Sequence, residues 1–412
     1  KKSENGGWER QIYGISNNEK AVLLLEKRTF KELLVDMELR NLQNNIVGQE
    51  ASRLFARAEI NMGVEAFRDS LYSLLKRNTF LNIKFENMLD TLGEISRTDI
   101  RSLLGEWEKT TSLPFYSLGE PTLTKITNKG GEEFFVLKML ISNNSDYDGI
   151  IHMDIRKDGW WYQPLEDPRA KTKIEMPAHT SKEFVSVWED QIRNVEINTM
   201  VSGNLPNIIS QDINNVKQER NKIVKDSIYI LPESSFDLPG EIIVDNEDST
   251  LFILSAPPIV GLLPKWLDEV EETPFKYSGI SWWRPPLQWT ATTNDRYYGK
   301  YIRSAFVIKS GDGSQTATWK VPVPEVGQYD LYYHVFKDDE LRWNNNLQGE
   351  YHFKVKYGSE VEDAYVNLRK ANEGWEQLGS YYFDSDTIRV VLTDECKLRS
   401  VTADAVKIVK RY

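Results

Sequence analysis

The chain has 412 residues, with 51 Lys and Arg against 62 Asp and Glu, a formal net charge of −11, and 40% apolar residues. That charge argues against broad nucleic-acid binding, which needs a basic face to neutralise phosphate, and no window concentrates Lys and Arg without interspersed acids. With 27% charged and 11% aromatic residues the chain is not of disordered composition, and roughly 150 residues per domain gives two or three folded modules.

Residues 1 to about 17, with Gly6-Gly7 and Asn17-Asn18, read as a loose leader. From Glu19 to Leu89 the period is helical: Ala21, Leu24, Leu25, Phe30, Leu33, Leu34 and Met37 recur at three and four, as do Ala51, Leu54, Phe55 and Ala58. Gly63 predicts a stop after Met62, and a further helix over about 65–76 carries Phe67, Leu71 and Leu74. Ser96 or Thr98-Asp99 then caps a short helix placing Ile100, Leu103, Leu104 and Trp107 on one face.

After Thr110 the period changes to two. Phe134, Val136, Lys138 and Leu140 alternate, with Asn128-Lys129-Gly130-Gly131 and Asn143-Asn144-Ser145 as hairpin turns. Strands near 149–155, 160–163, 171–176 and 183–188 complete a small β-sandwich, in which Trp160-Trp161-Tyr162 supplies large core side chains. Residues 203–239 read as a connector with a polar helical stretch from Gln211 to Asp226, whose Lys217, Arg220, Lys222 and Lys225 make a solvated face. Strand patterns return at Ile242 to Val244, Ala305 to Ile308, Ala317 to Val321, Tyr329 to Phe336, His352 to Tyr357 and Ile388 to Leu392, spaced as in a Greek-key sandwich.

Several chemistries have no residues to carry them. Cys396 alone permits no internal disulfide and no CxxC motif. The histidines at 152, 179, 334 and 352 form no HExxH or other local pair. No transmembrane segment is expected, because the most apolar stretch, Leu251 to Trp266, is broken by Pro257, Pro258 and Pro264 and falls short of roughly 20 residues. The charged start Lys1-Lys2-Ser3-Glu4 has no apolar run behind it, so no signal peptide is visible.

Residues 48–115 resemble the rear part of the zinc aminopeptidase family of thermolysin-like fold. The matching features are Ala51-Ser52-Arg53-Leu54-Phe55, Met62-Gly63-Val64-Glu65-Ala66-Phe67, Leu89 to Ile95 with Thr98-Asp99, and Trp107 followed by Thr111-Ser112-Leu113-Pro114. The resemblance implies a helical array followed by a small β-sandwich. It transfers no chemistry, since the family's zinc site needs a His pair that this chain lacks, and Glu50 and Glu59 read as solvated helix-face carboxylates.

Residues 240–412 resemble the golvesin C-terminal-like domain, also described as xanthan-lyase carbohydrate-binding-like. The likeness lies in Ile243-Val244-Asp245-Asn246-Glu247-Asp248, Trp289 before Tyr297-Tyr298-Gly299, and Ala317-Thr318-Trp319 with Gly327 to Tyr332. It continues through Gly374-Trp375-Glu376-Gln377-Leu378-Gly379 and Val401 to Lys407. The resemblance implies a jelly-roll sandwich of secreted bacterial proteins, hence an extracellular, periplasmic or cell-surface setting.

Aromatic faces stack on the C–H faces of sugars, and nearby Arg or Asn can bond hydroxyls. Candidate ligand contacts are therefore Trp282, Trp283, Arg284 and Trp289, with Trp343 and Asn345 on a loop tip, whereas Trp319, Trp375 and Tyr329 are expected in the core. Asp245-Asn246-Glu247-Asp248 and Asp338-Asp339-Glu340 offer oxygen ligands of the kind a structural calcium takes, though no cofactor is required. Asp404, between apolar neighbours, is expected to pin a backbone turn.

The expected architecture is multidomain α+β: an α-helical domain at 1–116, a β-sandwich at 117–202, the connector at 203–239 and a jelly-roll-like β-sandwich at 240–412. The expected role is non-catalytic binding or scaffolding at an envelope polysaccharide or protein surface. The alternative is the C-terminal portion of an aminopeptidase-like protein whose catalytic half lies outside this chain.

Overall fold

The computed structural model describes residues 10 and 12–411 apart from 80, 98, 105–110, 158–162, 221–223, 234–235, 237–239, 256–274, 281–283 and 338–348, with backbone alone at 103 and 104. It divides into two compact units, Asn17–Phe236 and a second that joins residues up to Ser16 to those from Asp237 on. The fold is multidomain α+β, with a helical region ahead of several sheets.

In the first unit the apolar periodicity becomes helices α1 (Asn17–Lys27), α2 (Phe30–Val35), α3 (Gln43–Met62), α4 (Val64–Arg77), α5 (Phe85–Ser96) and α6 (Ile100–Leu104). Leu54 and Ala58 of α3, Phe67 of α4, Leu89 and Leu92 of α5 and Ile100 of α6 share one core. Thr29 starts α2 with a capping box, its side chain taking the Glu32 amide while Glu32 reaches back to the Thr29 amide. The side chains of Leu103, Leu104 and Trp107 lie outside the described residues.

Glu50 and Glu59 are not the solvated carboxylates the sequence suggests. Helix α3 packs against sandwich strands, so Glu59 reaches Lys173, while Glu50 is buried and paired with Arg53 at 2.6 Å. Burial pushes the Glu50 carboxyl up, against the pull of Arg53.

The sandwich strands are β1 (Tyr116–Leu118), β2 (Thr122–Thr127), β3 (Glu133–Asn143), β4 (Gly149–Lys157), β5 (Gln163–Pro164), β6 (Lys171–Met176), β7 (Thr180–Trp188), β8 (Ile192–Asn198), β9 (Ile208–Asp212), β10 (Val216–Arg220) and β11 (Ser227–Pro232). One sheet runs β10-β2-β3-β7-β11 with β1 also on β3; the other runs β5-β4-β8-β9 with β6 also on β4. Their inner faces bury Leu137, Met139, Ile141, Ile151, Met153, Val195 and Ile197. The expected core contribution of Trp160-Trp161-Tyr162 lies outside the described residues.

The predicted helix from Gln211 to Asp226 is corrected: none of its described residues is helical, Gln211 and Asp212 end β9, and Val216–Arg220 form β10, which pairs in parallel with β2. Val216 to Arg220 is a sheet-edge strand whose side chains are mostly exposed, so ladder hydrogen bonds override a polar sequence that otherwise suits a helix. The basic side chains Lys217 and Arg220 therefore stand on a strand.

Two polar devices tie this unit together. The buried Asn204 side chain accepts from the Tyr116 amide and donates to the Tyr116 carbonyl, both at 2.8 Å. His179, in the β6–β7 turn, lies 2.7 Å from the Glu233 carboxylate beyond β11 and 2.8 Å from Asp146. Hydrogen bonds to these carboxylates, Glu233 first, raise the His179 pKa above the ordinary value. The folded value is the higher one, so this contribution is complete below the unfolded-state value and fades as pH rises through the folded value. The His179 ring resonances should titrate above the ordinary value of about 6.5, and Glu233→Gln should lower their midpoint. A wild-type midpoint at the ordinary value would refute the latch.

The second unit comprises β12 (Glu241–Val244), β13 (Phe252–Ser255), β14 (Thr290–Thr293), β15 (Ser304–Lys309), β16 (Thr316–Pro322), β17 (Gly327–Val335), β18 (Glu350–Tyr357), β19 (Glu360–Asn367), β20 (Gly374–Phe383), β21 (Thr387–Thr393), β22 (Ser400–Ala403) and β23 (Val406–Lys410). A four-stranded sheet, β12-β23-β17-β20, and a five-stranded sheet, β13-β16-β21-β18-β19, enclose a core with Trp319, Tyr329, Tyr333, Phe353 and Phe383 fully buried. A short β14-β15-β22 sheet accompanies them.

Residues 10 and 12–16, within the stretch expected as a loose leader, dock on this unit. Arg10 is buried and donates to Thr293 Oγ1 at 2.8 Å, and Ile15 is buried too. Gly14, at φ +73°, lies so close to Gly279 that a Cβ on it would stand 2.5 Å from the Gly279 nitrogen, which only glycine avoids. Among the described residues no helix is long and apolar enough to cross a membrane.

Candidate functional site

Strand alternation sends Tyr329, Leu331, Tyr333 and Val335 of β17 into the core and leaves Asp330, Tyr332 and His334 on the outer face of the four-stranded sheet. Register sets Tyr332 opposite Lys407 of β23 and Gln377 of β20, and His334 opposite Trp375. Tyr298 arrives from the loop before β15. Its neighbour Gly299 passes so near the Ile302 carbonyl that a Cβ there would stand 1.9 Å from the oxygen.

The rings converge. Tyr298 and Trp375 centroids are 5.0 Å apart, His334 and Trp375 5.1 Å, and Tyr298 and His334 5.8 Å. The Lys407 ammonium stands 4.9 Å over Trp375 and 5.4 Å over Tyr332, and pairs with Glu241 at 2.9 Å. Tyr298, Tyr332, His334 and Trp375 are all half-buried, so each retains some access to solvent. Alongside, Asp330 accepts from Gln377 at 3.0 Å and from Arg411 at 2.8 Å.

Asp404 anchors this face from inside. Fully buried, it accepts the Tyr298 amide with both carboxylate oxygens at 3.2 Å and lies 2.8 Å from His334 Nδ1. Its own carbonyl takes the Trp319 indole at 3.3 Å. Burial pushes the Asp404 carboxyl up, opposed by His334; burial and then the Asp404 carboxylate push Asp245 up as well. The expected turn-pinning role of Asp404 thus takes a specific form, fixing Tyr298 and His334 side by side.

Of the ligand contacts expected from sequence, Trp282, Trp283, Trp343 and Asn345 lie outside the described residues. Arg284 is exposed, and Trp289 is half-buried against the core, its Nε1 enclosed with no hydrogen-bond partner among the described residues. Trp319 and Tyr329 are core residues, as expected, whereas Trp375 belongs to the outer cluster. Tyr332 and Lys407 fall in fragments of the golvesin resemblance and His334 in none, but nothing in the sequence singles out any of the three as a contact.

The proposed calcium oxygens are engaged with protein donors. Glu247 accepts from Lys276 at 2.5 Å, from Tyr277 at 3.1 Å and from Ser304, and Asp248 accepts from the Asp245 amide at 2.9 Å. Asp338-Asp339-Glu340 lies outside the described residues, among which no group of three His, Cys, Asp or Glu could hold a metal ion.

No curated protein matches this chain. Among solved structures it is similar to Legionella pneumophila aminopeptidase A, with 17% identity and a TM-score of 0.21, over 37% of this chain and 16% of that one. It is similar to Bacteroides uniformis beta-glucuronidase, with 11% identity and a TM-score of 0.21, over 77% and 32% of the two chains. A third, TmCBM61 in complex with beta-1,4-galactotriose, has 13% identity and a TM-score of 0.16, over 42% of this chain and 86% of its own. The chain thus spans less than a third of the first two relatives' lengths. The segment that contains Tyr298, His334, Trp375 and Asp404, residues 285–410, matches the Golvesin C-terminal domain family.

Proposed function

We propose that this is a non-catalytic binding protein of an extracellular or cell-envelope setting, whose golvesin-type unit contacts glycan through the outer face of the β12-β23-β17-β20 sheet. The observation that carries this reading is the cluster of Tyr298, Trp375 and Tyr332 on that face, with His334, Lys407 and Gln377 beside the rings. Partly exposed rings offer apolar surface to sugar C–H groups, and the flanking polar groups suit hydroxyls. Asp404 fixes two members of the cluster, so the surface is preorganised and little ordering cost falls on binding. Trp282, Trp283, Arg284, Trp343 and Asn345 are retained as proposed contacts alongside it.

Affinity electrophoresis of the full chain against envelope and plant polysaccharides tests this. Trp375→Ala should weaken the best interaction roughly tenfold or more, the range for a buried aromatic anchor, and Tyr298→Ala should weaken it too. Parallel Trp283→Ala and Trp343→Ala proteins show whether those tryptophans contribute. Binding unchanged in a folded Trp375→Ala protein, or no polysaccharide bound by the parent, would sink the reading.

A further inference from the structure

The opposite face of the same sandwich carries a different chemistry. Alternation that turns Trp319 and Val321, Val390, and Val355 inward turns Lys320, Arg389 and Lys356 outward on three adjacent strands. Register places them in one line: Arg389 of β21 is opposite Lys320 of β16 on one side and Lys356 of β18 on the other. Neighbouring strands are about 4.8 Å apart, so the three cations span roughly 10 Å. Lys354 stands on the same face one row along.

Like charges set directly opposite one another destabilise a sheet. None of these four has an ion-pair partner among the described residues, although the whole chain carries a net charge of −11. Asp363, the residue across from Lys354, is instead 2.7 Å from His352. Next to this row Tyr365 is 55% exposed and lies flat on His352, with centroids 4.8 Å apart and planes at 8°. The face therefore combines a line of unneutralised cations with an open aromatic ring.

We propose that this face binds an acidic polysaccharide, with Lys320, Arg389, Lys356 and Lys354 meeting uronate carboxylates and Tyr365 beneath a sugar ring. A polyuronate carries one carboxylate per sugar, a charge density suited to cations spaced one strand apart. Arg389 can take a carboxylate with two parallel hydrogen bonds. A polyphosphate has denser charge and would be repelled more strongly by the exposed Glu360, Glu362 and Asp363 and by the acidic chain as a whole. This site is separate from the aromatic face of the four-stranded sheet, since the core lies between the two sheets.

The test is titration of the full chain with polygalacturonate, with the same polymer after carboxyl reduction, and with single-stranded DNA, at low and high salt. Polygalacturonate should bind, more weakly at high salt, while the reduced polymer and DNA bind at least tenfold less well. Combined Lys356→Glu and Arg389→Glu should weaken the interaction roughly tenfold or more, about 1.4 kcal/mol, and Lys320→Gln with Arg389→Gln should weaken it less. Trp375→Ala should leave it unchanged, which separates this site from the aromatic face. Equal binding of the reduced polymer, tighter binding of DNA, absence of binding, or indifference of the folded charge variants would each overturn the proposal.

Discussion

Replacing Trp319 with alanine is expected to destabilise the golvesin-type unit by about 3–5 kcal/mol, the range for a large aromatic removed from a packed core. Trp319 is fully buried in the middle of β16, with ring centroids 5.3 Å from Phe252 and 6.2 Å from Tyr333. Nothing in a close-packed core can fill that volume without shifting both sheets. The substitution also removes the donor to the Asp404 carbonyl, so it loosens the turn that fixes Tyr298 and His334. Urea denaturation followed by tyrosine fluorescence and near-ultraviolet dichroism would measure the loss. Trp319→Phe should cost less than half as much; a Trp319→Ala protein within about 1 kcal/mol of the parent would contradict the central place given to this side chain.

Asn204→Ala should cost the first unit about 2–4 kcal/mol, because it orphans a buried amide and a buried carbonyl, each worth about 1–3 kcal/mol unsatisfied. The asparagine side chain acts toward Tyr116 as a strand neighbour would, accepting on one side and donating on the other. Asn204→Asp should be nearly as damaging, since a carboxylate keeps the acceptor but cannot donate to the Tyr116 carbonyl. Denaturation midpoints, with amide exchange at Tyr116 as the local reporter, would decide. An Asn204→Asp protein as stable as the parent would show that the donated bond is dispensable.

Where one face of an element is buried, its sequence was readable. The helices at Gln43–Met62 and Val64–Arg77 and the strands at Glu133–Asn143 and Gly327–Val335 bury alternating or periodic apolar residues, and their patterns announce them. Strand β10 has no buried face, so its polar residues carried no period of two and read as helix. The outer cluster was hidden for a different reason. Tyr298, His334, Trp375 and Asp404 come from distant points of the chain, His334 and Asp404 being 70 residues apart, and only sheet register makes them neighbours. Three of the four did fall in the fragments that mark the golvesin resemblance, Tyr298, Trp375 and Asp404, but those fragments said nothing about proximity. Local aromatic density marks Trp282-Trp283 in the sequence, whereas this cluster is assembled across strands.

The docking of Arg10 and residues 12–16 also sets a timetable for synthesis. Arg10 meets Thr293 across a sequence separation of 283 residues, and at roughly 5–20 residues per second a ribosome takes about 15–55 s to cover that distance. During that interval the helices and sandwich of Asn17–Phe236 emerge complete, while Thr293, which Arg10 bonds in the folded unit, is still unmade. The first-made part of the described chain is therefore among the last to find its place, and a nascent-chain factor acting on this protein would meet that segment undocked.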